Sequence, residues 1–313
     1  MSGAAATSAL PDEDVVQRFM LESSGIRGDL VRLGTAVDRI VTRHAYPAPL
    51  AALLGEMLAL TAMLSSMMKY EGIFTLQMKG DGPVKMMIAD MTSEGHLRGY
   101  AGFDAARLAA VLARPRAAGR AARPGIGTLL GRGHLAFTVD QGPHTERYQG
   151  IVELTGQTLA DCLQHYFRQS EQIHAGLMVA VDRVRGAWGS AGLILQRIPE
   201  QVATRDAEAA EEAWRRAMIL QASCTTRELL DRTLPINDLL YRLFHEEGVR
   251  VYRRRPLVDR CRCSRARLEE TLRAMPRAQV EDLKVDGEVV VTCQFCNKDY
   301  RFDGAALDRI YAS

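Results

Sequence analysis

Residues 261–296 read CRCSRARLEETLRAMPRAQVEDLKVDGEVVVTCQFC, and this stretch decides how the C-terminal part of the chain folds. It opens with the pair Cys261 and Cys263 and closes with the pair Cys293 and Cys296. A Cys-x-x-Cys turn directs two sulfurs toward one ion, and a second pair completes a tetrahedral site with Zn–S bonds of about 2.3 Å. We therefore predict that these four cysteines bind Zn²⁺, one ion per chain.

The ligands alone do not decide what such a site is used for. Iron–sulfur ligation is an alternative, although the spacings differ from the common ferredoxin patterns, and most all-cysteine zinc sites are purely structural. Two features favour a redox switch instead. A Cys-x-Cys pair would form a strained, reducible disulfide, and nearby arginines favour thiolate over thiol. The same arginines are equally typical of a solvated surface; they are Arg260, Arg262, Arg265 and Arg267.

The stability that zinc binding supplies also affects the rest of the chain. The predicted zinc domain, residues 257–313, is too small to rely on its apolar core alone. Structural zinc contributes roughly 10–16 kcal/mol of apparent binding free energy, against domain stabilities of about 5–15 kcal/mol. Oxidation of the cysteines would eject the metal, so this domain should unfold and stop supporting the preceding helices at 200–245.

The remaining sequence predicts an α+β protein, because strand and helix patterns mix without regular βαβ alternation. A turn at Gly80-Asp81-Gly82-Pro83 predicts two flanking strands. The predicted strands are Ile73–Lys79, Val84–Ala89, Leu97–Ala101, Leu135–Val139 and Tyr148–Glu153. The predicted helices are Val15–Leu21, 50–68, Leu159–Gln169, 199–233 and Ile236–Phe244.

Composition shifts divide the chain into four predicted parts. They are a disordered tail (1–12), an α+β core domain with a mixed sheet (13–198), a metastable helical linker (199–256) and the Cys₄ zinc domain (257–313). The linker has a thin apolar face, so its helices should be stable only when docked.

Composition also limits the cellular setting. Six cysteines are too few for a disulfide scaffold, and their close pairs fit a reducing compartment. No secretory signal is visible, and the apolar stretch 50–68 is interrupted by polar residues, which favours a buried helix over a membrane span. We therefore expect a cytoplasmic protein. The net charge of +2 predicts weak whole-molecule attraction to nucleic acid.

With these motifs together, the chain resembles the 33 kDa chaperonin, or heat shock protein 33, family. The most specific match is the Cys-x-Cys and Cys-x-x-Cys signature. Supporting segments are Gly25-Ile26-Arg27-Gly28, Gly80-Asp81-Gly82-Pro83, Glu146-Arg147-Tyr148-Gln149-Gly150 and the run from Tyr241 to Glu247. The resemblance extends over nearly the whole chain.

The resemblance implies a redox-regulated holdase of the oxidative stress response that uses no ATP. The reduced, zinc-bound form would be inactive. Oxidation would form the disulfides Cys261–Cys263 and Cys293–Cys296, release zinc, unfold the linker and expose apolar surface to unfolding or oxidatively damaged client proteins. Clients would pass later to ATP-dependent foldases, and the oxidised form would be a homodimer.

Two other function classes stay open at this point. A zinc-ribbon nucleic-acid binder could use Arg250, Arg253, Arg254 and Arg255 together with the arginines near Cys261, although the net charge and the few aromatic residues disfavour it. A zinc or thiol-disulfide enzyme is disfavoured because four cysteine ligands close the coordination shell. Cys162 and Cys224 are predicted to be buried, inert thiols, with a modulating redox role as the alternative. Methionines concentrated between Met57 and Met91 predict core packing, or an adaptable client-binding surface as the alternative.

Overall fold

The computed structural model describes residues 12–114, 123–142, 145, 147–169, 174–198 and 207–312. The predicted disordered tail, except residue 12, and the start of the predicted linker lie outside the described residues. The chain forms two compact units, one ending at Asp259 and the other beginning at Arg260. Strands and helices are mixed in both units, so the predicted α+β class is confirmed.

The described elements are named in chain order. The strands are β1 (Val15–Leu21), β2 (Ile26–Leu33), β3 (Ile73–Gly80), β4 (Val84–Thr92), β5 (His96–Phe103), β6 (Gly133–Asp140), β7 (Tyr148–Glu153), β8 (Ala175–Val184), β9 (Ala187–Arg197), β10 (Val249–Val251), β11 (Arg255–Pro256), β12 (Val258–Asp259), β13 (Val289–Thr292) and β14 (Asp299–Phe302). The helices are α1 (Thr35–Thr42), α2 (Ala48–Met67), α3 (Ala105–Leu112), α4 (Ile126–Leu130), α5 (Leu159–Gln169), α6 (Ala207–Ala222), α7 (Thr226–Leu230), α8 (Ile236–Phe244), α9 (Arg265–Arg273), α10 (Arg277–Glu281) and α11 (Gly304–Ala312).

Two sheets make up the first unit. In the first sheet the strands follow the order β10-β1-β2-β9-β8, with β11 also paired to β1, and all pairs are antiparallel. The second sheet has the order β12-β5-β4-β3-β6-β7, in which only the β12–β5 pair is parallel among the described strands. All five strands predicted between Ile73 and Glu153 are confirmed in this second sheet.

Helix α2 lies at the core and contacts strands of both sheets. Pro49 sits in its first turn, where a missing N–H costs no helical hydrogen bond. Every residue from Leu50 to Ser66 except Glu56 is buried. The helix is long and apolar enough to span a membrane, but 89% of its most apolar window is buried inside the protein. The predicted core helix is therefore confirmed.

The prediction of a helix over Val15–Leu21 was wrong, because these residues form strand β1. Its burial follows a period of two from Gln17 onward, with Phe19 and Leu21 fully buried and the intervening residues partly exposed. Tertiary contacts decide that these residues form a strand, since β1 pairs along its whole length with β2. Gly28 on β2 permits this packing: a Cβ there would lie 2.1 Å from Cζ of Phe19.

Helices α6, α7 and α8 pack on a face of the first sheet. The side chains of Leu239, Leu240 and Phe244 in α8 are fully buried in a cluster with Phe19 and Leu193 of the sheet. The Phe19 and Phe244 rings stack with their centroids 5.7 Å apart. The predicted helix Ile236–Phe244 is thus confirmed, and so is the helix Leu159–Gln169.

Residues 249–259 run along the edges of both sheets. Residues 249–251 and 255–256 pair with β1, and Val258–Asp259 pairs with β5. The predicted linker therefore ends in strands rather than helix, and the chain divides after Asp259 instead of after Pro256. The assignment of residues 199–256 as a metastable linker stays a prediction.

The methionine-rich stretch belongs to the core. Met57, Met63, Met78, Met87 and Met91 are all fully buried. All five belong to the buried cluster around α2, which confirms the core-packing interpretation for these residues.

The second unit has a small core of its own. Helices α9, α10 and α11 surround the hairpin of β13 and β14. The buried residues are Leu272, Val280, Val289, Tyr300, Phe302, Ala306, Leu307 and Ile310. A core of this size fits the expectation that the unit needs a further source of stability.

Candidate metal centre

Two separate segments of the second unit carry the four cysteines. Cys261 and Cys263 lie immediately before α9, whose N-cap residue Ser264 accepts a hydrogen bond from the Arg267 amide at 3.3 Å. This cap fixes where the helix begins and therefore where the first cysteine pair ends.

The second pair lies in the turn between β13 and β14. The Cys293 amide donates to the Lys298 carbonyl at 2.9 Å, and the Asn297 amide donates to the Cys293 carbonyl at 2.8 Å. Asn297 has a φ of 57°, a left-handed conformation that asparagine tolerates better than most residues. The turn thereby folds back so that Cys293 and Cys296 face the first pair.

The four sulfurs converge on one point. All four Sγ atoms lie within 4.8 Å of one another. The Sγ atoms of Cys261 and Cys293 are 3.7 Å apart, and those of Cys263 and Cys296 are 3.4 Å apart. Bonds of about 2.3 Å to a tetrahedral zinc ion would place the sulfurs about 3.8 Å apart. The donor set and its spacing therefore fit a single metal ion, and the sequence-predicted residues are the ones brought together.

Hydrogen bonds stabilise negative charge on the sulfur atoms of the cluster. The Tyr300 hydroxyl donates to Cys263 Sγ at 3.2 Å. Burial alone raises the pKa of the Cys263 thiol, but the hydrogen bonds from Tyr300 and the other three cysteines outweigh it and lower this pKa to about 7. Burial raises the pKa of the Cys296 thiol, against the hydrogen bond from the Lys298 amide. The lowered pKa favours the thiolate form of Cys263, which is the form that metal ligation requires.

Sequence reasoning missed Tyr300. Its signal was present, since Tyr300 and Phe302 alternate with charged residues on a short strand directly after the Cys-x-x-Cys turn. That alternation places Tyr300 on the inward face of β14, where it is buried.

The arginines near the first pair have structural partners. Arg265 stacks over the Phe302 ring with 4.4 Å from its Cζ to the ring centroid, and it also pairs with Glu269. Arg267 donates to the Arg262 carbonyl at 3.2 Å. Two of the four arginines therefore stabilise the local fold.

The two other cysteines lie in the first unit and match the prediction of buried thiols. Cys162 and Cys224 are both nearly inaccessible. Burial raises the pKa of both thiols, that of Cys224 to about 11. Thiols with pKa values this high are poor nucleophiles at neutral pH.

Comparison with protein-family models gives a match to the family described as Hsp33 protein, over residues 14–303. Among curated proteins, the chain is 40% identical over 306 residues to the 33 kDa chaperonin of Caulobacter vibrioides, covering 95% of this chain and 98% of the relative. It is 37% identical over 307 residues to the 33 kDa chaperonin of Azotobacter vinelandii, covering 97% of this chain and 96% of that protein.

A solved structure shares the fold. The crystal structure of the 33 kDa chaperonin (heat shock protein 33 homolog) from Thermotoga maritima superposes with a TM-score of 0.78 at 22% identity. The alignment covers 96% of this chain and 98% of that one.

Proposed function

The chain belongs to the Hsp33 protein family, and from this membership we propose that it is a redox-regulated, ATP-independent holdase chaperone. It binds unfolding or oxidatively damaged proteins and protects them from aggregation. The observation that carries the proposal is the convergence of all four cysteine Sγ atoms within 4.8 Å. A reactive centre of this kind in a small unit is a means of coupling oxidation to folding.

In the reduced form, Cys261, Cys263, Cys293 and Cys296 hold one Zn²⁺ as thiolates. The bound ion supplies a cross-link between the segment before α9 and the turn between β13 and β14. Peroxide oxidises the cysteines to Cys261–Cys263 and Cys293–Cys296 disulfides, and the formation of each disulfide from two thiolates consumes one peroxide and two protons and yields two water molecules. This pairing follows from the family resemblance, and peptide mapping of oxidised protein would identify it.

Loss of the cross-link destabilises the second unit. Its core is limited to the residues around Leu272, Phe302 and Leu307, and a domain below about 70–80 residues rarely gains enough stability from its core alone. Once this unit unfolds, the chain that enters it at Arg260 is no longer anchored at its C-terminal end.

Unfolding then spreads into residues 199–256, which we propose as the metastable linker. Helices α6–α8 cover apolar side chains of the first sheet, including Phe19 and Leu193. Their departure exposes a continuous apolar surface, and surfaces of this kind bind other proteins. Clients bound there are released later to ATP-dependent foldases, and the oxidised protein is a homodimer.

The holdase acts in the cytoplasm, where thiols stay reduced until oxidative stress. We also propose that it is not an enzyme, because its relatives are chaperonins and four cysteine ligands would leave no open position at the metal for a substrate.

A zinc-ribbon nucleic-acid binder is less well supported. Of the arginines that it would use, Arg250 pairs with Glu22, and Arg254 pairs with Asp12 at 2.6 Å. Arg255 is half-buried beside Met91. Arg254 and Arg255 are therefore poorly placed to contact phosphates, whereas the ion pair of Arg250 is exposed and restrains it only weakly.

The test measures zinc release and aggregation suppression together, on reduced and peroxide-treated protein at elevated temperature. We expect oxidation to free about one zinc per chain and to switch on suppression that dithiothreitol reverses. Cys296→Ser should lack this response, whereas Cys224→Ala, which changes a buried thiol outside the cluster, should keep it. Suppression that is independent of redox state would contradict the proposal.

A further inference from the structure

The Tyr300 hydroxyl donates a hydrogen bond to a sulfur of the cluster, with 3.2 Å from its Oη atom to Cys263 Sγ. A phenol can donate one hydrogen bond, and a thiolate accepts it with the added strength of a charged acceptor. The sulfur electrons that accept this hydrogen bond are less available to an electrophile that approaches the sulfur.

The fold holds the hydroxyl in position. Tyr300 lies opposite Val291 in the β13–β14 pair, and its side chain is buried in the core of the second unit. A ring packed on several sides has few rotamers, so the donor stays directed at Cys263.

Lys298 makes the Tyr300 hydroxyl a stronger hydrogen-bond donor. Its Nζ atom lies 5.0 Å from the centroid of the Tyr300 ring. A cation at this distance attracts the π electrons of the ring, which makes the phenolic hydrogen more positive and the hydrogen bond to sulfur stronger.

We propose that Tyr300 is a positioning residue that sets the oxidant threshold of the switch by shielding the Cys263 thiolate. The inference rests on the proposed function and adds the residue that controls its sensitivity. Groups that hydrogen-bond to metal ligands commonly tune the reactivity of a metal site, and here the tuned quantity is the rate at which peroxide attacks Cys263.

Oxidation of the cysteines by peroxide proceeds in two steps, and Tyr300 affects the first. The Cys263 sulfur attacks one oxygen of hydrogen peroxide, the O–O bond breaks, and sulfur gains that oxygen as a sulfenic acid while hydroxide leaves. A second cysteine thiolate then attacks this sulfur, the S–O bond breaks, and a second hydroxide leaves. Overall two thiolates are oxidised to a disulfide, and one peroxide is reduced to two hydroxide ions, which two protons from solvent convert to two waters. Tyr300 slows the first step because its hydrogen bond must weaken as the sulfur lone pair is used.

Tyr300→Phe tests the proposal, since it removes the hydroxyl and keeps the buried ring. Tyr311→Phe is a matched control from the same unit, because its hydroxyl donates to the carbonyls of Leu272 and Met275 and not to the cluster. The measurement is the second-order rate constant of zinc release from the zinc-loaded full chain under peroxide, followed with a chromogenic chelator. A parallel measurement follows zinc loss to the same chelator without oxidant.

We expect Tyr300→Phe to accelerate peroxide-driven release about tenfold, with a much smaller change in zinc loss in the absence of oxidant and with Tyr311→Phe like wild type. Equal rates for Tyr300→Phe and wild type would overturn the inference while leaving the proposed function intact. Equal acceleration with and without oxidant, or in both variants, would also overturn it, since that result indicates a general loosening of the unit. A wild-type protein that releases no zinc under peroxide would overturn both the inference and the proposed function.

Discussion

Arg216 of helix α6 forms an ion pair with Glu247, whose side chain is only 3% exposed. The Glu247 carboxylate accepts hydrogen bonds from the Arg216 guanidinium, and it also accepts one from the Ser23 hydroxyl after β1. The hydrogen bond from Arg216 is the main cause that lowers the pKa of Glu247 below its usual range. This contact ties the first helix of the proposed linker to the first sheet.

Arg216→Ala should therefore make the linker easier to undock. The change leaves a buried carboxylate without its charged partner, which costs about 1–3 kcal/mol. We expect a lower midpoint in urea unfolding and aggregation suppression at a lower temperature in oxidised protein.

Arg215→Ala provides the control for this prediction. Arg215 is the neighbour of Arg216 on the same helix, but its pair with Glu212 is exposed on both sides. Exposed pairs contribute about 0–1 kcal/mol, so Arg215→Ala should behave like wild type. If the two variants are equally destabilised, helix propensity rather than the buried ion pair is responsible.

Gly28→Ala should disturb the same region through packing. The added Cβ would lie 2.1 Å from Cζ of Phe19, and the Phe19 ring cannot retreat because it is fully buried and stacked on Phe244 of α8. Overpacking of this kind costs about 1–3 kcal/mol. The free energy of unfolding, measured by denaturant titration, should fall by that amount.

Gly127→Ala is the matched control for added volume. Nothing lies within 4 Å of a Cβ built at Gly127, which sits in helix α4. Because alanine favours helix over glycine, this variant should be as stable as wild type or slightly more so. Equal destabilisation by both substitutions would refute the packing explanation.

The sequence predicted the second sheet better than the first. Turn residues such as Gly80-Asp81-Gly82-Pro83 mark the strands of the second sheet with local signals. Strand β1 has no such signal, and only its pairing with β2 makes residues Val15–Leu21 extended. The short strands β10–β12 were missed for the same reason, because edge pairing with β1 and β5 is a long-range contact that no local pattern encodes.

The metal ligands could be identified from spacing, because cysteine pairs in one short segment have few other uses. The residues that surround the metal ligands could not be identified in this way. Whether Tyr300 reaches Cys263 depends on the register of β13 against β14, and whether Arg265 faces the cluster or the Phe302 ring depends on side-chain packing. The sequence gives residue types at these positions, whereas the folded unit decides which of them contact sulfur.

Glu56 should make stability depend on pH. Between Leu50 and Ser66 of α2, Glu56 is the one residue whose side chain is only partly buried. Burial of its carboxyl group nevertheless raises its pKa from 4.5 to about 7. The hydrogen bond from the Ala160 amide and the charge of Arg123 act in the opposite direction. A carboxyl that binds its proton more tightly in the folded state loses stability as the pH rises from about 4.5 to 7. Glu56→Gln should therefore exceed wild type by about 1–3 kcal/mol at pH 8 and match it at pH 4. A stability difference that does not change with pH would contradict this assignment.

Removal of both buried thiols should leave the redox response intact. Cys162 and Cys224 lie outside the cluster, their side chains are buried, and burial raises the pKa of each, so neither thiol competes with the cluster for peroxide. In a Cys162→Ala/Cys224→Ala variant, peroxide should release zinc at the wild-type rate and dithiothreitol should reverse the activation. The two small cavities should cost stability, about 1 kcal/mol each, which denaturant titration would measure separately. A slower or irreversible response in this variant would instead mean that one of these thiols exchanges with the cluster during oxidation, and single substitutions would then identify which.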